Sequence, residues 1–197
     1  LDIAAIAAAL GDLARRFDID VLAECDSTNT RLMAMAETGA PSGSVLAAEQ
    51  QTAGRGRRGR SWLSTSGNSL TFSLVWRFPH DTALDGLSLA VGVALARGLE
   101  SIGIGGIALK WPNEVLLDGR KLAGILIELA PGPRPEAAVI GIGLNLRLPQ
   151  DLPEELSATV AALCDVGGEL PSRNVLLAQL LRALHEQLVD FTRHGFS

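Results

Sequence analysis

The 197-residue chain is poor in the residues that build many other kinds of site. Its two cysteines, Cys25 and Cys164, lie far apart and form no disulfide framework, which favours a reducing, cytoplasmic setting. Its three histidines lack the spacing of zinc ligands, so no metal site is predicted. No apolar run approaches the roughly 20 residues of a membrane span, and the N-terminus has no signal-peptide pattern. A soluble protein without a membrane partner is expected.

Aromatic residues make up 4% of the chain, tyrosine is absent, and the formal net charge is −5. A general nucleic-acid binder is more often basic and stacks bases on aromatic side chains, so no nucleic-acid partner is expected. The composition is 47% hydrophobic, enough for a sizeable buried core. The length favours a single domain over residues 1–197.

Lysine is scarce, since only Lys110 and Lys121 among 17 basic residues are lysines. Arginine is a planar fork and lysine a compact point charge, so this lysine pair indicates a tight anion site. Lys110 ends an apolar strand, where a buried ammonium needs an anion or a carbonyl as its partner. A lysine that snorkels to the surface is the alternative. The turn signal Asp118-Gly119 is expected to fold Lys121 back towards Lys110.

Hydrophobic periodicity predicts the secondary structure. Helices are expected over 3–16, 28–39 and 84–103, and strands over 21–25, 44–51, 69–76, 107–111, 114–117, 120–130 and 137–146. The remainder from residue 156 is expected to be helical, and its last helix to run to about residue 193. Ser27 or Thr28 is expected to cap the second helix, and Ser172 the last one. The Pro-rich stretch 131–137 is predicted to be a surface turn. Central strands with helices around them, several joined by hairpins, predict an α/β (α+β) fold with a mixed sheet and flanking helices.

The stretch QTAGRGRRGRSW, residues 51–62, follows a predicted strand and contains four arginines and three glycines. Its glycines spell G-x-G-x-x-G, but no helix follows, which excludes a dinucleotide fingerprint, and no Gly-Lys-Ser/Thr completes a P-loop. Glycines free backbone amides to converge on an anion, and arginine forks bind phosphate or carboxylate bidentately. The stretch predicts an anion-binding loop that is mobile when empty and ordered by its ligand. A solvated basic loop is the alternative.

Three further stretches carry polar side chains at strand ends. CDSTN, residues 25–29, places short hydrogen-bonding side chains and free backbone N–H groups at a strand-to-helix junction, as a binding site or as plain helix capping. KWPNE, residues 110–114, contains Asn113. GIGLN, residues 141–145, offers glycines for a close backbone approach and Asn145 as a polar tip.

Five stretches together, in chain order DSTN, QTAGRGRRGRSW, KWPNE, RKLAGILIE and GIGLN, resemble the biotin protein ligases, also called biotin–[acetyl-CoA-carboxylase] ligases. The resemblance spans about residues 20–195 and implies a class II synthetase-like catalytic domain. It implies ATP-dependent activation of biotin to biotinyl-5′-AMP, with Mg²⁺ shielding the triphosphate. Biotin is then transferred to a lysine of the biotin carboxyl carrier protein of acetyl-CoA carboxylase.

The resemblance also implies roles for individual residues. Lys110, at the biotin carboxylate and the α-phosphate, and Arg57, in the closing loop, are the implied catalytic residues. The implied biotin-binding residues are Ser27, Thr28, Asn29, Gln51, Arg55, Gly56, Arg57 and Lys110. The implied nucleotide-binding residues are Trp62, Asn113, Lys121 and Asn145.

The chain departs from the family pattern in three places. Glu114 stands where the family usually has Asp. About twenty residues ahead of the first match cannot hold the winged-helix DNA-binding region of bifunctional members, so a monofunctional ligase is expected. The chain ends where the family continues into an SH3-like domain, so that domain is expected to be absent. The oligomeric state, monomer or weak dimer, stays open.

Three alternatives to the biotin ligase remain. A lipoate ligase or octanoyltransferase shares the fold and an active-site lysine, although the glycine-arginine loop is not characteristic of those enzymes. An RNA- or DNA-binding module would show steep salt dependence and no need for ATP. A truncated domain would bind biotin without turning it over.

Overall fold

The computed structural model describes residues 1–80, 82–130, 136–149 and 152–196. The helices in this part are α1 (Ile3–Leu10), α2 (Thr28–Glu37), α3 (Leu87–Glu100), α4 (Glu154–Ser157) and α5 (Arg173–His194). The strands are β1 (Asp18–Cys25), β2 (Ser44–Gln51), β3 (Ser69–Phe78), β4 (Ile107–Lys110), β5 (Glu114–Leu117), β6 (Arg120–Ala130) and β7 (Glu136–Asn145).

The strands form one sheet in the order β1-β2-β3-β7-β6-β5-β4. β1 and β2 are parallel and joined through α2, whereas the other neighbouring strands are antiparallel. The predicted hairpin between β5 and β6 is confirmed, since Asp118 and Gly119 have φ values of 48° and 79°, the left-handed pair that a tight two-residue turn requires. The mixed sheet with its helices confirms the predicted α/β fold.

Side chains alternate between the two faces of this sheet. On one face, Phe72 and Ile140 belong to the main core, which α1, α3 and α5 cover. On the other face, Val75 and Val139 pack against Leu32 of α2. The α2 face is where the predicted site residues gather, as described below.

Serine caps fix the starts of two helices, as the sequence predicts. The backbone N–H of Thr30 donates to Ser27 Oγ at 3.4 Å, and that of Val175 donates to Ser172 Oγ at 3.3 Å. The predicted first helix is shorter than expected, because it ends at Gly11, where φ is 61°, and continues as a 3₁₀ segment to residue 16.

The prediction that the region from residue 156 is helical is confirmed for the helix that Ser172 caps, but it is wrong for most of the residues before it. Only α4 is helical before a 3₁₀ turn at Leu163–Val166, and α5 begins at Arg173. Gly167 and Gly168, with φ values of 75° and 80°, break the helical path. The segment between α4 and the 3₁₀ turn instead runs beside β6. The turn predicted over 131–137 lies largely outside the described residues.

His185 of α5 is half-buried between two aromatic rings. Its ring centroid lies 6.0 Å from that of Phe17 and 5.6 Å from that of Trp76, and its Nδ1 is buried without a hydrogen-bond partner in the described part of the chain. Burial lowers the pKa of His185 below its usual range, and the charge of Arg16 adds to this, against a smaller opposing effect of Glu186. The neutral ring is therefore the form that the fold favours.

No helix in the described residues is both long enough and apolar enough to cross a bilayer. The two cysteines are free, Cys25 buried and Cys164 exposed.

Candidate active site

A cavity of about 390 Å³ opens on the α2 face of the sheet. All but one of the residues that the sequence singled out line it: Ser27, Thr28, Asn29, Gln51, Arg55, Gly56, Arg57, Trp62, Lys110, Asn113 and Lys121. Asn145 is the exception. Gly141 and Gly143 of GIGLN also line the cavity, so the structure brings all five stretches together, while the role of each residue stays a prediction.

The parallel pairing of β1 and β2 builds one end of the cavity. Cys25 is paired with Gln51, so the residues that follow β1 lie beside the end of β2. The backbone N–H of Thr28 donates to Gln51 Oε1 at 2.7 Å. Ser27 caps α2, so the capping interpretation is right for this residue, yet it also lines the cavity.

A hydrogen-bond network, buried at Ser73 and partly exposed at Arg55, connects this end to the arginine loop. Ser73 Oγ on β3 lies 2.8 Å from Thr28 Oγ1 and 2.7 Å from Asn29 Oδ1. Asn29 Nδ2 donates to Glu128 Oε2 at 2.9 Å, and Arg55 Nη2 donates to the same carboxylate oxygen at 2.7 Å. The network therefore links the position of the loop to that of the buried strand.

Glycines on β7 give two side chains room on the sheet. A Cβ on Gly141 would lie 2.2 Å from Asn29 Oδ1, and a Cβ on Gly143 would lie 2.3 Å from Trp62 Cε2. Both distances are far below van der Waals contact, so only glycine fits. The glycines of GIGLN do permit a close approach, but to side chains of this chain. The Trp62 indole lies against β7, and its Nε1 is buried without a partner among the described residues.

The two lysines meet at one carboxylate. Lys121 Nζ lies 3.0 Å from Glu114 Oε1 and Lys110 Nζ lies 3.4 Å from Glu114 Oε2. Burial by itself raises the pKa of Glu114, but the hydrogen bonds and charges of Lys121 and Lys110 outweigh it and hold the pKa below its usual value. The expectation that the hairpin brings the lysines together is confirmed.

The expectation that the ammonium of Lys110 is buried is wrong. Its side chain is 66% exposed, because β4 is the edge strand and Lys110 is its last residue. The Lys121 side chain is 31% exposed, and its Nζ lies 5.8 Å from the centroid of a Trp62 ring. Lys121 therefore holds the deeper position in the cavity, and Lys110 lies at the rim.

The arginine loop folds back on itself like a hairpin. The backbone N–H of Trp62 donates to the carbonyl of Gly54 at 2.8 Å, and that of Gly56 to the carbonyl of Arg60 at 2.7 Å. Arg58 has a φ of 57°, rare for a side chain other than glycine. In the described part of the chain, Arg57, Arg58 and Arg60 have no carboxylate partner, so the loop brings unpaired positive charge to the cavity.

The two asparagines of the predicted nucleotide side differ in placement. Asn113 lines the cavity, and its Nδ2 donates to the carbonyl of Ile125 at 2.7 Å. Asn145 lies outside the lining, where its Nδ2 donates to the carbonyl of Ala161 at 3.0 Å and to that of Lys121 at 3.4 Å. Asn145 thus holds the segment after α4 against the start of β6, beneath Lys121.

The sequence did not predict Ser73 and Glu128 as residues of the site. Ser69, Thr71 and Ser73 alternate along β3 and give one face of an otherwise apolar strand a polar stripe, which is a visible signal. Glu128 is the one acidic residue in the apolar run ILIELA. Both residues are polar groups in apolar strands, where a side chain that is buried or partly buried needs hydrogen-bond partners.

Comparison with known proteins agrees with the fold. The profile of the Biotin/lipoate A/B protein ligase family matches residues 21–145, and the chain belongs to this family. It is 40% identical over 179 residues to a biotin–[acetyl-CoA-carboxylase] ligase of Mycobacterium tuberculosis, and 39% identical over 183 residues to the bifunctional ligase/repressor BirA of Escherichia coli. These alignments cover 88% and 91% of this chain.

A solved structure shows the same fold. The biotin protein ligase of Aquifex aeolicus, in complex with biotin and ATP, superposes with a TM-score of 0.75 at 32% identity, over 90% of this chain and 73% of that one. The fold class that the resemblance implied is therefore confirmed. The chain spans 65% and 56% of the length of the two curated relatives from Mycobacterium tuberculosis and Escherichia coli.

Proposed function

We propose that the chain activates biotin with ATP to biotinyl-5′-AMP and transfers the biotinyl group to a lysine of a biotin carboxyl carrier protein. One observation carries the proposal: a single cavity joins a neutral hydrogen-bonding end, at Thr28 and Gln51, to a cationic end, at Lys121 and the arginine loop. Biotin carries a neutral ureido head and an acidic tail, and ATP adds phosphates beside that tail. The names of the relatives support the same activity.

The placement of the residues suggests how they share the work. Ser27, Thr28, Asn29 and Gln51 would hold the ureido end of biotin, and Lys121 would lie where the biotin carboxylate meets the α-phosphate. Arg55, Gly56 and Arg57 would close over the adenylate. The nucleotide would lie beside Trp62 and Asn113, with Lys110 at the rim and Asn145 supporting from behind the lining.

In the proposed reaction, a carboxylate oxygen of biotin attacks the α-phosphorus and pyrophosphate leaves. The amine of the acceptor lysine then attacks the mixed anhydride, AMP leaves, and the amine loses a proton. A carboxylate is already a nucleophile, so the first step needs no side-chain base. Negative charge grows and crowds around phosphorus in the transition state, and fixed cations such as Lys121 lower that barrier. A closed loop would keep water from the anhydride until the acceptor arrives.

Mg²⁺ is proposed here only as the ion that accompanies the triphosphate. The described residues contain no group of three histidine, cysteine, aspartate or glutamate side chains placed to hold a metal. Among the described residues that line the cavity, Glu114 is the one carboxylate, and two lysines occupy its oxygens. These residues do not form a ready metal site, and no step of the proposal depends on one. A cytoplasmic location is proposed as the compartment in which the carrier protein and ATP meet.

The test is incubation of the purified chain with biotin, ATP and a biotin carboxyl carrier domain, followed by a streptavidin blot and by assay of biotinyl-5′-AMP. We expect labelling that requires ATP and disappears when the acceptor lysine is replaced by arginine. Parallel reactions contain lipoate in place of biotin, because the family includes lipoate enzymes. The proposal would be contradicted if biotin gave no adenylate and no label. Activity with lipoate alone would assign the chain to the lipoate enzymes of the family.

A further inference from the structure

The arginine loop is a short hairpin with a stem and a tip. In the stem, residues 54–56 and 60–62 are joined by two backbone hydrogen bonds, of 2.7 and 2.8 Å. The tip is the 3₁₀ turn Arg57–Gly59. Arg55 lies in the stem, where it is paired with Ser61, whereas two of the other arginines belong to the tip. The four arginines of the loop therefore do not share one environment.

Glu128 on β6 ties the stem to the sheet. Its Oε2 accepts hydrogen bonds from Arg55 Nη2 at 2.7 Å and from Asn29 Nδ2 at 2.9 Å. Asn29 is only 3% exposed, and its amide is held in place by two further contacts. Its Nδ2 donates to the carbonyl of Leu126 at 3.3 Å, and its Oδ1 accepts from Ser73 Oγ at 2.7 Å. One carboxylate oxygen thus joins the stem to a side chain that is fixed on the sheet.

Glu128 lies on the face of β6 that borders the loop. Alternate residues of β6, namely Gly124, Leu126 and Glu128, point to this face, and the last two line a second cavity of about 450 Å³ together with residues 53–61. A partly buried carboxylate needs charged or polar partners there. In the described part of the chain, Arg55 is the one arginine of the loop that has a carboxylate partner. The pairing singles out the stem and leaves the arginines of the tip available to a ligand.

We propose that Glu128 is a positioning residue that anchors the stem of the arginine loop through Arg55, so that the tip closes over an anionic ligand from a fixed base. The inference rests on the proposed function, under which the anion is biotinyl-5′-AMP. A fixed stem leaves fewer residues to be ordered when the ligand binds. Less conformational entropy is then lost on closure, and the ligand is retained longer.

Glu128→Gln keeps the shape of the side chain and removes its charge. The Arg55 side chain is 45% exposed and that of Glu128 is 27% exposed, so the ion pair is partly screened by water. Its loss is expected to open the stem about threefold to fivefold more often. Hydrogen exchange at the backbone amides of Gly56 and Trp62, which form the two stem hydrogen bonds, measures this opening directly.

The experiment measures two quantities on the full chain, the exchange rates of these two amides by NMR without ligand and the dissociation rate of biotinyl-5′-AMP. Both are expected to rise about threefold to fivefold in Glu128→Gln. Added salt should speed exchange at the two amides in the wild type and have less effect in the variant, because salt screens a partly exposed ion pair. A general loss of stability would not remove the response to salt.

A double-mutant cycle separates the ion pair from other effects of the substitution. Arg55→Gln is expected to change both rates as Glu128→Gln does, and the double variant should add little, because both changes remove the same contact. Arg55→Lys keeps the charge and is expected to fall between the wild type and Arg55→Gln. The Arg55 variants also serve if Glu128→Gln fails to fold.

The matched control is Asp165→Asn. Asp165 Oδ2 also accepts from two donors, Arg120 Nη2 at 3.0 Å and the backbone N–H of Ala162 at 3.2 Å, and its side chain is 28% exposed. In the described structure this carboxylate does not line either cavity. The control is expected to leave exchange in the stem and release of the adenylate unchanged.

The remaining outcomes decide against the inference. Wild-type exchange at both stem amides in Glu128→Gln and Arg55→Gln would overturn it, and so would fully additive effects in the double variant. Faster exchange with wild-type release of the adenylate would also overturn it, because the anchor would then have no part in retention. In each case a wild-type chain that forms the adenylate upholds the proposed function. A wild-type chain that forms none overturns the proposed function, while exchange still decides whether Glu128 anchors the stem.

Discussion

Replacing each of the two cavity lysines by alanine tests which cation carries the chemistry. We expect Lys121→Ala to slow biotin-dependent pyrophosphate release far more than Lys110→Ala. Both ammonium groups contact Glu114, but the Lys121 side chain is 31% exposed and that of Lys110 is 66% exposed. Water therefore screens the charge of Lys110 much more strongly.

The magnitude follows from that difference in screening. A unit charge about 4 Å from another contributes about 4 kcal/mol at the effective dielectric constant of a protein surface, and about 1 kcal/mol in bulk water. The less exposed Lys121 is nearer the value for a protein surface, and loss of one preorganised donor to a developing charge costs about 10²–10³ in kcat. Lys110 is nearer the value for bulk water, so about a fivefold loss or less is expected. Lys121→Arg is also expected to be poor, because a planar fork cannot take the place of a compact charge.

The assay measures pyrophosphate release with biotin or ATP varied in turn while the other is saturating, which gives kcat and each KM. Because the lysine is proposed to act in the transition state, Lys121→Ala should lower kcat and kcat/KM by similar factors. Arg97→Ala removes an exposed cation on α3 that does not line the cavity, and it is expected to match the wild type. A loss in Lys110→Ala equal to or larger than that in Lys121→Ala would refute the reasoning from exposure and favour Lys110 as the main cation.

Three further changes test other parts of the molecule. Arg57→Gly should still form biotinyl-5′-AMP but retain it about one to two decades less well, so labelling of bystander proteins rises on a streptavidin blot; wild-type bystander labelling would show that Arg57 is not the gate. Gly143→Ala should displace Trp62 and raise the KM for ATP, whereas Gly105→Ala, which has open space around it, should not; equal KM values would contradict this. Because the folded state lowers the pKa of His185, the unfolded chain binds a proton first as pH falls below about 6.5, and stability is lost there. The melting temperature should fall less with acid in His185→Phe than in the wild type, and equal slopes would reject this cause.

Local signals in the sequence predicted most elements of the fold. Ser27 and Ser172 mark helix starts because a short oxygen side chain satisfies a free N–H, whatever surrounds it. Asp118-Gly119 marks a hairpin because few residue pairs accept the left-handed conformation. The conformation of the region after Leu156 was harder to predict. Its apolar residues pack against β6 in an extended segment, and no local periodicity in the sequence indicates this packing. Strand order was also beyond reach, since it depends on pairings between distant segments.

The candidate site, like the fold, could be predicted from the sequence only in part. The motifs showed which segments meet, because hairpin geometry brings Lys121 to Lys110 whatever the rest of the sheet does. The motifs did not show how deep in the cavity each side chain lies, since the exposure of Lys110 follows from its place on an edge strand. Ser73 was invisible as a partner of Thr28 because the contact spans 45 residues and depends on sheet register.

The parallel pairing of β1 with β2 has a consequence for how the protein can change. The C-terminal ends of both strands lie side by side, with Cys25 beside Gln51. The positions of the binding groups there are therefore fixed by where the two strands end. The connection from α2 back to β2, residues 38–43, is mostly exposed apart from Gly43 and lies at the other end of β2. Length can therefore vary in that connection with little effect on the cavity, whereas one residue gained or lost within β2 would point Gln51 to the wrong face. Tolerance and intolerance to insertion lie at opposite ends of the same strand.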